Sequence, residues 1–574
     1  MTKKDMVCIL GHQDIPVIQE QPEFMVDLLK SNLLLFGSSM SGKTNFIKLL
    51  ITILHKQYRE NDEQIFILDF GGALSDYESL PLVSAYFDNA NEEYVKRVFK
   101  LLEDQLKDNI TCLKGKNYSS CDNNQPIHTT LFIDNVNAFL DEPRYASYQE
   151  KLAKICRDGL SKGITIVMTA SSTKGLGSYM NSFKQKIALE MPVDSYIDIF
   201  SHKVIPVGNN PGHGYANVTL IPQNITGTFP LQTAYELQLN FADNIHSDEF
   251  ESNLDKFFAG RAVKKYKRFP QILTESDFKK LIDDIAISSG EDLGEKKNTG
   301  IAVGLDYTEC KPFNIDYDST RVIAIYGKKE FGKTNLLRRM LKKLLVDEKY
   351  RFVFFDDGRG QLQQYIADKV PDGKRKVYIQ GYEERDVKDK SGVKVKQKLS
   401  PIQLFIKCIH ENYMDLSDIK RVGDQHVLYE IFNLRSPFES SVAEIYNSNS
   451  NTVFVLQSKF LYVNSKASKI FMEIILPSLA AQAEEKNWIF IFSDVKNITD
   501  SEIRDNFNTT IETAFLLDNI AEFVSERGQK TVFGNMDVKS LKEEYAYCEK
   551  GDGYVYSIEK DELKKLKFIK ENEV

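Results

Sequence analysis

The fold of this chain is decided by one stretch, Leu33-Leu34-Leu35-Phe36-Gly37-Ser38-Ser39-Met40-Ser41-Gly42-Lys43-Thr44. Its apolar start predicts a strand, its glycine-bounded middle predicts a turn, and the residues that follow, 45–51, predict a helix. In this setting the pattern G-x-x-x-x-G-K-[ST] predicts a phosphate-binding loop, because backbone N–H groups of the turn and of the helix N-terminus converge on one anion. The stretch therefore predicts an α/β nucleotide-binding fold.

The residues of this loop have separate expected roles in binding ATP and Mg²⁺. The cradle for the phosphates is formed by Gly37, Ser38, Ser39, Met40, Ser41 and Gly42. Lys43 is expected to reach the β- and γ-phosphates, and the Thr44 hydroxyl to bind Mg²⁺. The strand before the loop and the helix after it argue against the alternative, a glycine-rich turn with an incidental lysine.

Length and composition limit the classes of protein to consider. The 574 residues suffice for roughly two to four domains. A formal net charge of −8 lacks the basic excess that nucleic-acid binders usually show. The seven cysteines are scattered without a C-x-x-C pair, which argues against a disulfide framework and a zinc site. No apolar run reaches the length of a transmembrane helix, so the sequence predicts a soluble, cytosolic chain.

Strands and helices alternate after the loop, which predicts a mostly parallel sheet flanked by helices. One strand, 130–134, ends on Asp134; in nucleotide hydrolases such an aspartate, on the strand beside the phosphate loop, holds Mg²⁺. The alternative is a turn aspartate at the end of a strand. The strand 164–171 ends in small hydroxyl residues, as expected of a sensor of the γ-phosphate.

Two further residues bear on the rate of hydrolysis. Asn135 stands where a vigorous ATPase carries a glutamate base, and an amide cannot accept the proton of the attacking water. ATP turnover is therefore expected to be slow and to need a residue from a neighbouring subunit. Arg157, on the helix before the sensor strand, is the candidate arginine finger; a solvated helix arginine is the alternative.

A second phosphate loop lies in the other half of the chain: Gly327, Lys328, Lys329, Glu330, Phe331, Gly332, Lys333 and Thr334. It also follows an apolar run and precedes a helix-like segment, and the strand at 352–355 repeats the one at 65–69. We therefore expect two tandem nucleotide-binding modules. The predicted boundaries are 1–245 for the first, 246–298 for a linker and 299–574 for the second.

The repeat predicts that the second module is degenerate. The segment 489–494 ends in Asp494 and resembles the Mg²⁺ strand, but its short distance to the strand 513–517 makes it the partner of the sensor strand. The counterpart of the Asp134 strand is then 452–457, which ends in Gln457. Without the carboxylate, this module is expected to hydrolyse ATP poorly or not at all.

Several segments together resemble the FtsK/SpoIIIE-type ATPase modules of the type VII secretion motors EssC and EccC. They are Gly11 to Pro16 with Gln19 and Gln21, the loop Gly37 to Thr44, Leu68 to Gly71, Phe132 to Asn135, Arg157 to Gly159 and Gly163 to Ser171. The resemblance is strong over 1–235 and weaker over 300–574. It implies two tandem RecA-like P-loop NTPase domains, self-association into a hexameric ring, other secretion-machine components as partners, and small helical-hairpin secretion substrates.

Full-length members of this family carry forkhead-associated domains, transmembrane helices and a further ATPase module upstream. We therefore expect a fragment, a split gene product or a truncated relative, placed at the inner face of the cell membrane through partners or upstream segments. The leading functional interpretation is a secretion motor with slow hydrolysis in the first module and a regulatory or substrate-docking second module.

Two other functions stay open from the sequence. One is a DNA translocase of the FtsK or conjugative type. Against it stand the acidic balance and Thr169-Ala170-Ser171-Ser172, where DNA pumps of this kind carry A-T-Q-R-P; no nucleic-acid partner is expected. The other is a scaffold in which both modules bind nucleotide without hydrolysing it.

Overall fold

The structure is a computed structural model. It describes residues 5–88, 92–121, 125–205, 208, 210–221, 230, 233–266, 268–289, 300–309, 311–347, 349–355, 365, 369, 377–380, 383–388, 391–399, 451–457, 480–481, 483–485, 487–495, 507–520, 523–524, 530–533 and 548–571. The chain forms two compact units: Met1–Arg268 with Ile285–Glu291, and Phe269–Asp284 with Asp292–Val574.

The first unit is built on one ten-stranded sheet. Its strands are β1 (Val7–Asp14), β2 (Glu23–Asp27), β3 (Leu33–Phe36), β4 (Glu63–Asp69), β5 (Val83–Asp88), β6 (His128–Asp134), β7 (Ile164–Ala170), β8 (Gln185–Leu189), β9 (His213–Asn217) and β10 (Ala234–Leu239). Its helices are α1 (Lys43–Gln57), α2 (Glu92–Leu113), α3 (Val136–Asp141), α4 (Ala146–Asp158), α5 (Val193–Phe200) and α6 (Asp248–Phe258).

The sheet joins a parallel centre to an antiparallel extension. The parallel strands run in the order β5-β4-β6-β7-β3-β8, and every residue of β3, β6 and β7 is buried, as expected for strands covered on both faces. Beyond β8 the sheet continues antiparallel through β9, β10, β1 and β2. The predicted α/β fold is confirmed. The antiparallel extension was not predicted, because β1 and β10 expose alternate residues and carry a weaker apolar signal.

The expectation that the Asp134 strand lies beside the phosphate loop is wrong. β3 pairs with β7 and β8, and β6 pairs with β7 and β4, so the sensor strand separates β6 from β3. Ile133 pairs with Met168, and Asp134 follows at the carboxyl end of β6, where it is hydrogen-bonded to Thr169. At that edge of a parallel sheet all strand ends point toward the same crevice, so the carboxylate still reaches the loop.

The second unit is built on an equivalent sheet. Its elements are β11 (Leu273–Thr274), α7 (Glu275–Ser289), β12 (Ile301–Asp306), β13 (Pro312–Ile315), β14 (Val322–Gly327), α8 (Lys333–Val346), β15 (Arg351–Phe355), β16 (Val377–Gln380), β17 (Glu383–Lys388), β18 (Lys394–Leu399), β19 (Thr452–Gln457), β20 (Trp488–Val495), β21 (Thr513–Leu517), β22 (Asp552–Ser557) and β23 (Glu562–Lys570). The pair β17 and β18 forms a separate hairpin.

The strand order of the two sheets corresponds position by position. The second runs β13-β12-β23-β22-β21-β14-β20-β19-β15-β16, with β14 in the place of β3 and β20 and β19 in the places of β7 and β6. In register, Ile325 pairs with Ser493 as Leu35 pairs with Thr169, and Gln457 pairs with Ser493. The predicted assignment of 452–457 to the position of the Asp134 strand is confirmed. The residues after β15, 356–358, lie outside the described residues.

The predicted linker, 246–298, contains ordered elements of both units. Phe250 and Phe258 of α6 belong to the hydrophobic core of the first unit. β11 pairs in parallel with β23, and α7 starts directly after it. The first residue of α7, Glu275, forms an ion pair with the buried Arg339 of α8, which also lies 2.7 Å from Glu571. Within the described part of the chain, no helix combines the length and apolarity needed to span a bilayer.

The start of β3 is fixed by the side chain of Asn32. Its Nδ2 donates to the carbonyl oxygens of Cys156 at 2.9 Å and Ser182 at 3.2 Å, and its Oδ1 accepts from the N–H of Ile166 at 2.9 Å. Because the groups of Cys156 and Ile166 are buried, replacing the amide removes hydrogen bonds that water cannot easily replace.

We expect Asn32→Ala to lower the free energy of unfolding of the first unit by roughly 2–4 kcal/mol, since at least two buried polar groups lose a hydrogen bond. Urea denaturation of the full chain measures the effect. Asn117→Ala, at an exposed position whose side chain makes no capping bond, is the control and should change stability by less than about 0.5 kcal/mol. Equal losses in the two variants would contradict this role.

Candidate functional site

The first phosphate loop is seated on the ends of two strands. The N–H of Gly37 donates to Ala170 O at 3.1 Å, and the N–H of Ser38 donates to Glu190 O at 2.7 Å. The N–H of Gly212 reaches the loop from the other side, at 2.8 Å from Ser41 O. Met40 has a left-handed backbone with φ of 65°, and this places Ser39 and Met40 at the exposed tip. The ends of β7 and β8, together with the turn at Gly212, fix the shape of the loop.

Lys43 folds across the loop that precedes it. Its Nζ donates to Gly37 O at 2.8 Å and to Ser38 O at 2.6 Å. Burial lowers the pKa of this ammonium group, and the nearby Asp134 carboxylate opposes that shift. The positive charge is therefore positioned over the cradle formed by the loop backbone, where an anionic phosphate gains most from it.

Asp134 is the buried carboxylate of the site, at 2% exposure. Its Oδ1 accepts from the Thr169 hydroxyl at 2.5 Å, and its Oδ2 lies 3.4 Å from the Thr44 hydroxyl. Burial raises the pKa of Asp134; the bond from Thr169 opposes the rise and the Asp69 carboxylate adds to it. The structure thus brings together the two residues, Thr44 and Asp134, predicted to bind Mg²⁺.

Asp69 is a second buried carboxylate at this edge, paired in register with Asp134. Its oxygens accept from the N–H groups of Gly71 at 3.0 Å, Gly72 at 2.6 Å and Leu74 at 2.8 Å, and from the Tyr86 hydroxyl at 3.0 Å. Because four donors already bond its carboxylate, Asp69 serves to shape the turn after β4. The sequence showed Asp69 only as an acid at the end of a strand and assigned it no role.

Asn135 and Asn137 shape the turn after β6. Asn135 has a left-handed backbone with φ of 59°, and its N–H donates to the Thr169 hydroxyl at 2.8 Å. The amide of Asn137 accepts from the N–H of Ser171 at 2.8 Å and donates to Lys174 O at 3.1 Å. Thr169 is therefore held between Asp134 and Asn135. Sequence reasoning missed Asn137, because its partners lie on a distant loop.

Arg157 is not brought into this crevice. It lies in the last turn of α4, whose carboxyl end leads to the start of β7, whereas the loop follows the end of β3. Its side chain is 70% exposed and donates to both carboxylate oxygens of Asp158, at 2.9 and 3.1 Å. The predicted arginine finger is thus on the opposite edge of its own sheet.

The second loop repeats the backbone of the first. Lys333 Nζ donates to Gly327 O at 2.9 Å and to Lys328 O at 2.5 Å, and Glu330 repeats the left-handed backbone of Met40 with φ of 70°. Gly332 precedes α8, in which Thr334 is the second residue, and Phe331 packs against the core. The side chains differ: Lys328 lies 3.6 Å from the buried Asp518, and Lys329 lies 3.9 Å from Glu330.

The residues of the first loop fit a nucleoside triphosphate with Mg²⁺. The Ser41 hydroxyl is buried in the loop and has no hydrogen-bond partner within the described ranges, which suits a phosphate oxygen. The described residues contain no group of three or more His, Cys, Asp or Glu able to hold a metal ion. A cation here would rely on Thr44, Asp134, water and the phosphates, as Mg²⁺ usually does.

A side chain at position 71 is expected to displace Asp134, because a Cβ on Gly71 would lie 2.4 Å from Asp134 Oδ2. We expect Gly71→Ala to weaken Mg²⁺-dependent nucleotide binding by about 10- to 100-fold, as for losses of supporting contacts at metal sites. Isothermal titration with Mg²⁺ and a non-hydrolysable ATP analogue measures it. Gly177→Ala, where no atom lies within 4 Å, is the control. Unchanged affinity in Gly71→Ala would show that Asp134 does not assist binding.

Since burial raises the pKa of Asp134 in the fold, its ionised form destabilises the folded state. We expect Asp134→Asn to melt above wild type in EDTA at neutral pH, by roughly 2–4 °C for each kcal/mol relieved. The difference in melting temperature between the variant and wild type should disappear as the pH falls from the raised pKa of Asp134 in the folded state toward the ordinary carboxyl value of 3.8. Differential scanning fluorimetry over this pH range tests it, with the exposed Asp141→Asn as control. A wild type more stable than Asp134→Asn at neutral pH would contradict it.

Comparison with known proteins shows that the chain is similar to ATPases of protein secretion systems. Residues 3–180 match the FtsK/SpoIIIE family. The type VII secretion system protein EssC of Staphylococcus aureus strain MRSA252 is 23% identical over 376 residues, which cover 64% of this chain and 24% of that protein. The ESX secretion system protein EccC of Geobacillus thermodenitrificans is 24% identical over 349 residues, which cover 59% and 22%. The chain spans about a quarter of the length of these relatives.

Solved structures show the same fold. EssC (ATPases 2 and 3) from Geobacillus thermodenitrificans has a TM-score of 0.60 and 17% identity, and the match covers 99% of this chain and 97% of that one. Thermomonospora curvata EccC (ATPases 2 and 3), in complex with a signal sequence peptide, has a TM-score of 0.57 and 15% identity, with coverage of 100% and 94%. These matches confirm two tandem RecA-like P-loop modules. The resemblance inferred from the motifs is thus confirmed as well: this chain is similar to the FtsK/SpoIIIE-type ATPases of type VII secretion, with the tandem fold seen in EssC and EccC.

Proposed function

We propose that this chain is the ATP-binding part of a type VII protein secretion motor, with slow hydrolysis in the first module and a regulatory or substrate-docking role for the second. The observation that carries the proposal is the meeting of Thr44 and Asp134, at 3.4 Å, beside the Lys43 ammonium group. Together these are the lysine, the hydroxyl and the carboxylate that Mg²⁺-dependent nucleotide hydrolysis requires. The similarity to EssC and EccC supplies the biological setting.

In this mechanism the site residues of the first module act on the triphosphate through their charge and their position. The loop N–H groups and Lys43 would hold the phosphates, and Thr44 and Asp134 would hold Mg²⁺, whose charge would offset that of the triphosphate. Thr169, fixed between Asp134 and the N–H of Asn135, orients the carboxylate. Asn135 supplies an amide in place of a base, so it orients water without accepting its proton, and hydrolysis is slow.

A ring neighbour accelerates this step through Arg157. The guanidinium group is exposed at one edge of the module and paired only with the adjacent Asp158 among the ion pairs described for it. An exposed pair of this type contributes little stability, so its release for a phosphate on a neighbouring subunit costs little. The proposed assembly is a hexameric ring, as the family resemblance implies.

The second module either regulates the first module or docks the secretion substrate. Gln457 occupies the register position of Asp134, so the carboxylate for Mg²⁺ is replaced by an amide. Its loop keeps Lys333 and adds Lys328, which is paired with Asp518. The EccC structure in complex with a signal sequence peptide supports peptide recognition by this type of tandem module. We extend this to small helical-hairpin substrates, received at the cytoplasmic face of the membrane together with other secretion-machine components.

Substitution of the two loop lysines tests whether hydrolysis takes place in the first module. We expect Lys43→Ala to reduce ATP turnover of the full chain by about a hundredfold or more, because it removes a charge that stabilises the transition state. Lys333→Ala, the matched substitution in the other loop, is expected to retain measurable turnover. Phosphate release at high protein concentration, where subunits associate, measures both variants.

Three outcomes contradict the proposal. Unchanged nucleotide binding in Lys43→Ala would overturn the assignment of the site. Turnover that rises severalfold with duplex DNA, and falls again with salt, would favour a DNA translocase. No hydrolysis even at high concentration would favour a scaffold that only binds nucleotide.

A further inference from the structure

An asparagine next to the phosphate loop holds the chain segment that follows β10. Asn45, directly after Thr44, donates through Nδ2 to Asn240 O at 3.1 Å and accepts through Oδ1 from the N–H of Ala242 at 3.1 Å. The segment is fixed further by the N–H of Asn240, which donates to Leu10 O at 2.9 Å. Its backbone is therefore ordered on both sides of residue 241.

The residue between these two bonds is Phe241, and its side chain is 80% exposed. A single exposed apolar residue is ordinary on a protein surface. Phe241 differs because hydrogen bonds hold its backbone on both sides beside the phosphate loop. The Asn45 bonds fix where the backbone of residue 241 lies relative to the loop.

The strand order assigns the two flanks of the loop to opposite ends of a nucleotide. From β3 the sheet leads through β7 to β6 on one side and through β8 and β9 to β10 on the other. Asp134, at the end of β6, marks the side of Mg²⁺ and the γ-phosphate, whereas Phe241 follows β10. A triphosphate that points its γ-phosphate toward Asp134 therefore points its sugar and base toward Phe241.

We propose that Phe241 is the stacking surface for the nucleobase in the first module. This inference rests on the proposed ATP-binding function. An aromatic ring stacks on any base, since every base has a π-face, and such stacking contributes about 1–3 kcal/mol by alanine substitution. Phe241 adds affinity for nucleotides over other polyphosphates without strict selection of one base.

The second module repeats the asparagine but not the ring. Asn335, after Thr334, donates to Ile569 O at 2.9 Å and accepts from the N–H of Glu571 at 2.8 Å. The residue between them is Lys570, which is exposed. The two modules thus share the hydrogen-bonded segment and differ at its outward residue. A lysine there favours an anion over a base, so the second module has no corresponding stacking surface at this position.

Fluorescence and affinity measurements test the proposal in a Lys333→Ala background, so that the first module dominates binding. Phe241→Ala should bind Mg²⁺–ATP about tenfold more weakly, a change equivalent to about 1.4 kcal/mol, while Mg²⁺–tripolyphosphate, which lacks a base, binds as before. Phe241→Trp should keep the ATP affinity, and its fluorescence should be quenched by ATP but not by tripolyphosphate. The natural tryptophan, Trp488, is buried in the second unit and provides a constant background.

The outcomes separate this inference from the function on which it rests. Equal ATP affinity in Phe241→Ala and its parent, with no quenching in Phe241→Trp, overturns the stacking role while leaving the ATP site intact. Equal losses for ATP and tripolyphosphate in Phe241→Ala show damage to the loop and also overturn it. If the parent binds neither ligand, the proposed function itself fails. Val17→Ala, at another exposed apolar residue of the first unit, is the control for general surface effects.

Discussion

The burial of the Asp134 carboxylate is the constraint on which the first module depends. A carboxylate withdrawn from water persists only where donors and positive charge compensate it, and here the compensation comes from Thr169, Thr44 and Lys43. Thr169 belongs to β7, whereas Lys43 and Thr44 are the last residues of the phosphate loop and the first two of α1. The position of β7 between β3 and β6 is what brings all three within reach of one carboxylate.

The second module has the same sheet and loop backbone but lacks a carboxylate at the position of Asp134. Its sheet has the same strand order and its loop the same backbone, including the left-handed residue in the middle. The register places Gln457 where Asp134 stands, so no buried charge has to be compensated at this position. The fold and the side chains at the edge of the sheet are therefore separable in this chain: the phosphate loop and the parallel strands recur, while the position of Asp134 carries an amide in the second module.

Local sequence signals predicted the two loops, the strand that ends in Asp134 and the correspondence between the modules. These features lie within continuous apolar runs and a glycine pattern, so neighbouring residues suffice to define them. Pairings between distant segments were not accessible: the interposed β7, the antiparallel extension and the bonds of Asp69 depend on tertiary contacts. The hydrogen bonds of Asn45 to residues 240 and 242 had no signal in the sequence around either partner.

The pairing of β11 with β23 gives the connection between the modules a defined entry into the second module. After residues 240–242, which are bonded to Asn45 beside one phosphate loop, the chain stays in the first unit through α6 and leaves it after Arg268. It enters the second at β11, paired with Ile569 and Lys570, and Ile569 is itself bonded to Asn335 beside the other loop. On the side of the second module, a displacement of this connection is therefore transmitted through β11 and β23 to Asn335, the residue that follows the P-loop threonine Thr334.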